Sequence, residues 1–165
     1  MTSNSSFARA ALVSIAALFV IGAGSASAAT FKGSFTDARG DGPRPGLDIQ
    51  KADVSYDSTA GSIRFTIDLE GPLDGTPVQI ATGVGTRTAD GAFCSTPLAV
   101  VGGIQPGGTT VWGLDRDGDQ QVEESGTASI TISGSTVSFS ASDSALTGLT
   151  PNCAEALLSN PDDLS

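Results

Sequence analysis

Oxygen-bearing side chains recur at every second position in Asp115-Arg-Asp117-Gly-Asp119-Gln-Gln121-Val-Glu123-Glu124. A hard cation such as calcium takes about six to eight oxygen ligands. Alternate carboxylates on a curling chain can present those oxygens to one centre, and Gly118 allows the chain to curl. The chemistry expected is calcium ligation by Asp115, Asp117 and Asp119. Gln121 would add its backbone carbonyl, and Glu123 or Glu124 a late carboxylate. The alternative is a solvated acidic turn.

The Asp-x-Asp-x-Asp start follows the loop of helix–loop–helix calcium sites, but the rest departs from it. The sixth position is Gln120 where that loop needs glycine, and the twelfth is Gly126 where it needs glutamate. The flanking residues alternate as strands do. The expectation is therefore an acidic loop joining two strands, with weak affinity of about 10⁻⁴ to 10⁻³ M.

Other chemistries are restricted by composition. The chain has no histidine, which removes Ser-His-Asp and Cys-His mechanisms and the commonest transition-metal ligand. Its two cysteines, Cys94 and Cys153, allow one intramolecular pairing, closing a loop of about 60 residues. In the chain-entropy model such a loop is worth about 4 kcal/mol. The net charge of −10 disfavours nucleic acid and anionic lipid as partners. Gly83-Val-Gly85 and Gly102-Gly-Ile-Gln-Pro-Gly-Gly108 lack the Gly-Lys-Ser/Thr of a phosphate loop and read as turns.

Residues 1–28 have the layout of a secretory signal peptide. Arg9 precedes an apolar run over residues 10–21, and small residues follow to Ala26-Ser-Ala28. The run is short of the roughly 20 residues of a spanning helix. Residues 29–165 then form one exported domain, secreted to the extracellular side of a bacterial cell, where disulfides persist. No membrane contact is expected after signal cleavage, and a monomer is the expected state.

The elements that must position these residues have a period of two. Ile63, Phe65, Ile67 and Leu69 alternate with Arg64, Thr66, Asp68 and Glu70, which describes a strand with one wet face. Ala52, Val54 and Tyr56 precede it through a turn at Asp57-Ser-Thr-Ala-Gly61. A second hairpin runs from Ala128, Ile130 and Ile132 through Ser133-Gly-Ser135 to Val137, Phe139 and Ala141. Weaker strands are expected at 31–35, 77–84, 92–101 and 109–114. A parity change between Ile49 and Ala52 predicts a bulge near Gln50–Lys51. Thr150-Pro-Asn-Cys-Ala-Glu-Ala-Leu-Leu158 offers a short C-terminal helix with Pro151 in its first turn. Trp112 and Tyr56, the only residues of their types, sit in apolar patterns and should be buried. The fold expected is all-β, a single antiparallel β-sandwich of immunoglobulin-like or jelly-roll-like form, with at most that one helix. A closed barrel is the alternative.

The pattern Phe35-Thr-Asp37-x-x-Gly40-Asp41, followed by Asp48-Ile49 and the two strands over 52–69, resembles the opening of exported DOMON-like β-sandwich domains. Among these are modules similar to carbohydrate-binding module family 9. The resemblance covers residues 31–70. It implies a sandwich with a structural calcium near the polar loop 36–46, held by Asp37, Asp41 and Asp48.

Three function classes fit these features. The first is an exported non-catalytic binding or interaction module, stabilised by a disulfide and calcium, with an extracellular glycan or protein as partner. The second is a small secreted inhibitor of hydrolases presenting the loop 41–47. The third is a histidine-free glycosidase using a carboxylate pair. Aromatic residues at 5% of the chain argue against a pocketed active site, so the first class is expected and enzymatic activity is not.

Overall fold

The computed structural model describes residues 30–37, 47–73, 75, 77–89, 94–105, 107–119 and 121–159. The signal-peptide reading of residues 1–28 and most of the polar loop 36–46 lie outside them.

The alternating segments form strands because every second side chain has an apolar partner to meet across a sandwich. Among the described residues the strands are β1 (Thr30–Thr36), β2 (Ile49–Asp57), β3 (Ser62–Leu69), β4 (Val78–Arg87), β5 (Cys94–Gln105), β6 (Val111–Asp115), β7 (Glu124–Thr127), β8 (Ser129–Ser133), β9 (Thr136–Ser142) and β10 (Cys153–Ser159). They build two antiparallel five-stranded sheets, ordered β1-β2-β3-β9-β8 and β10-β4-β5-β6-β7. The sheets are separate ladders, so the fold is a sandwich rather than a closed barrel.

The core lies between them. Ala52, Val54 and Tyr56 of β2, Ile63 to Leu69 on alternate positions of β3, and Val137 and Phe139 of β9 line one side. Val78, Ile80, Val84, Val101, Trp112 and Leu114 line the other. Each such large apolar side chain is worth about 1.5–3 kcal/mol on burial. The predicted bulge is present as a register shift between Ile49 and Lys51 against β3. It brings Ile49 and Ala52, on opposite parities, to the same buried face.

The C-terminal helix expectation is corrected: residues 153–159 are β10, paired along their length with β4. Ala154, Glu155 and Ala156 have no strand preference of their own, but a two-turn helix is marginal in water. As a strand this segment covers the edge of β4, buries Cys153, Ala154 and Ala156, and meets Cys94. The Cys94–Cys153 disulfide links β5 to β10 across the end of β4, with Cα atoms 5.5 Å apart.

The glycine pairs are also corrected. Gly83 and Gly85 lie within β4, and Gly102 and Gly103 within β5. A methyl on Gly102 would stand 2.4 Å from the Ile80 carbonyl oxygen. The glycine is therefore required by close strand packing, and the turn begins only after Gln105.

Tyr56 and Trp112 are buried as expected, at 1% and 3% exposure. The Tyr56 hydroxyl donates to the Leu146 carbonyl at 2.7 Å and accepts from Leu149 N–H at 2.9 Å. Trp112 packs on Gly126 of β7, where a methyl would lie 2.6 Å from Nε1.

Candidate metal centre

The acidic loop joins β6 to β7, two adjacent strands at one edge of the second sheet. Leu114 pairs with Glu124, and Glu123 N–H donates to the Leu114 carbonyl at 3.0 Å, so the hairpin closes immediately behind the loop. Trp112 and Leu114 anchor it through the core. Gly118 has φ +89°, a conformation that favours glycine, and it turns the chain between Asp117 and Asp119.

The side chains shape the loop by capping its own backbone. Asp115 Oδ1 accepts from Gly118 N–H at 2.7 Å, and Asp117 Oδ1 from Asp119 N–H at 3.1 Å. Asp119 Oδ1 accepts from Gln121 N–H at 2.8 Å, and Glu123 Oε2 from Arg116 N–H at 2.7 Å. These bonds draw the carboxylates toward the inside of the turn. One oxygen from each of Asp115, Asp117, Asp119 and Glu123 lies within 4.8 Å of the others. Asp115 is half-buried and the other three are exposed. The group could hold a metal ion, with four carboxylates that otherwise repel one another.

The two candidate glutamates separate here. Glu123 joins the carboxylate group, whereas Glu124 Oε1 is paired with Arg116 Nε at 2.8 Å. Arg116 Nη2 also donates to the Ala145 carbonyl at 2.9 Å, which the sequence pattern did not indicate. Gln121 is exposed at the C-terminal side of the loop, with its N–H on Asp119.

The second set of aspartates is only partly described. Asp41 lies outside the described residues. Asp37 is half-buried at the end of β1, with its N–H on the Gln50 carbonyl at 3.2 Å. Asp48 is 1% exposed, and its carbonyl accepts from Glu70 N–H at 2.9 Å. Both residues take part in further interactions, and Asp48 Oδ1 is buried without a hydrogen-bond partner among the described residues. Among the described residues neither belongs to a group of three or more metal-ligating side chains.

No helix among the described residues is long and apolar enough to cross a membrane. No family model, curated protein or solved structure matches the chain.

Proposed function

We propose that this protein is an exported, non-catalytic binding module whose β6–β7 loop holds a calcium ion. The observation that carries the metal is the convergence of Asp115, Asp117, Asp119 and Glu123 within 4.8 Å. Two oxygens on opposite sides of calcium stand about 5 Å apart, at ligand distances of about 2.3–2.6 Å. The spacing therefore allows the four carboxylates to share one calcium ion. The donors are all oxygen, which suits a hard cation with an irregular shell. The carbonyl of Gln121 and water would complete the coordination.

The signal-like N-terminus and the disulfide support export, and the likeness of residues 31–70 to DOMON-like domains points the same way. The partner proposed is an extracellular glycan or protein.

Thermal unfolding of residues 29–165 with calcium and then with chelator tests the metal. At about 10 mM calcium, a site with a Kd near 10⁻⁴ to 10⁻³ M adds about 1–3 kcal/mol of stability. Asp117→Asn/Asp119→Asn should remove that increment. No shift up to about 10 mM calcium, or a shift that survives the double substitution, overturns the assignment.

A further inference from the structure

One row of side chains crosses all five strands on the outer face of the first sheet. The ladder registers place Lys32, Ser55, Arg64, Ser140 and Ser129 side by side. They line a shallow groove of about 620 Å³. Lys32 and Arg64 are exposed, and neither has an ion-pair partner among the described residues. They stand on β1 and β3, two strand spacings or about 10 Å apart.

The same face shows what occupied charges look like. Lys51 is paired with Asp53 at 2.6 Å. Asp53 sits diagonally to both Lys32 and Arg64, yet it is taken by Lys51 and by the Ser34 hydroxyl. Asp68 accepts from Thr136 Oγ1 at 2.8 Å. Asp57, at the groove's end, turns Oδ1 to the N–H groups of Thr59 and Ala60 at 2.9 and 3.0 Å. Among the described residues Lys32 and Arg64 thus stand without an ion pair in one concave surface, whose lining also holds the carboxylate of Asp57.

We propose that this groove binds an acidic polysaccharide, its carboxylates on Lys32 and Arg64 and its hydroxyls on the serine row. Two cations against one carboxylate favour an anion, and a guanidinium takes a carboxylate through paired hydrogen bonds. The rest of the lining is chiefly hydroxyl, which exchanges hydrogen bonds with a polyhydroxylated ligand. The row offers no exposed aromatic or large aliphatic side chain. A peptide would lack its apolar anchor there, and a nucleic acid its stacking platform. The acidic remainder of the surface repels polyanions, so binding depends on these two residues and weakens with salt. This assignment names a ligand class for the binding module proposed above. It is independent of the calcium loop, which belongs to the other sheet.

Affinity electrophoresis in gels containing polygalacturonate, at low salt and with chelator present, tests it. The expected result is retardation by polygalacturonate but not by neutral dextran. Lys32→Ser/Arg64→Ser should weaken it at least about tenfold, since each residue supplies charge-assisted hydrogen bonds. Arg87→Ser, which removes a positive charge from the other sheet, should leave it within about twofold. Both positions of the first variant are exposed, and its folding is checked by its unfolding midpoint. Absence of retardation, equal retardation by dextran, retardation by dextran sulfate alone, or equal loss in the control variant overturns the assignment. Binding to another polymer that survives Lys32→Ser/Arg64→Ser would keep the binding module and reject this groove.

Discussion

Arg116 Nη2 donates to the Ala145 carbonyl at 2.9 Å and so ties the acidic loop of the second sheet to the turn that follows β9 in the first. The same guanidinium holds Glu124 through Nε at 2.8 Å. With two of its nitrogens fixed, the planar group keeps Glu124 away from the loop and leaves Glu123 to complete the carboxylate group.

Arg116→Ala is expected to lower stability by about 1 kcal/mol, the worth of one hydrogen bond to a carbonyl plus an exposed ion pair. A double-mutant cycle with Glu124→Ala in urea should give a coupling below about 1 kcal/mol, because both side chains are well exposed. An Arg116→Ala variant as stable as the parent would show that the strap contributes nothing.

Tyr56→Phe isolates a single buried hydroxyl. That oxygen serves both the Leu146 carbonyl and Leu149 N–H, and Leu146 and Leu149 are themselves buried. Phenylalanine keeps the ring but leaves a donor and an acceptor without a partner, at a cost of about 1–3 kcal/mol. Urea unfolding of the variant measures it. A change below about 0.5 kcal/mol would mean that water replaces the hydroxyl.

Glu155 sets a pH dependence. Burial beside β4 pushes its carboxyl above the ordinary value, opposed by the hydrogen bond from Cys94 N–H at 3.3 Å. The folded chain therefore holds this proton to higher pH than the unfolded chain. Stability contributed by this group falls as pH rises from its ordinary value through the raised one, and the penalty is complete above both. Glu155→Gln removes the charge, so the variant should exceed the parent in midpoint at neutral pH. The gap should close as pH falls below about 4, where both forms are neutral. Thermal melts across this range check the sign; a gap that widens in acid would contradict it.

Much of the architecture is legible in the chain because a half-buried strand has a period of two. Ile63 to Leu69 and Val137 to Ala141 declare their buried faces, and the parity change at Ile49–Ala52 declares the bulge. The acidic loop is equally local, since Asp115, Asp117, Asp119 and Glu123 are close in sequence. β7 is less visible: Glu124-Ser-Gly-Thr127 carries no apolar alternation, and its Gly126 is selected by Trp112 on the neighbouring strand.

Local patterning thus determined the strand class, the gathering of carboxylates in one loop and the pairing of two cysteines. Tertiary structure alone decided that residues 153–159 form a strand, because the open edge of β4 and the Cys94 bridge outweigh a weak local helix preference. It also decided the sheet order, the tie from Arg116 to Ala145, and the row that sets Lys32 and Arg64 on either side of Ser55. Each depends on registers between segments far apart in the chain, and period-two alternation marks a strand's buried face without naming its neighbour.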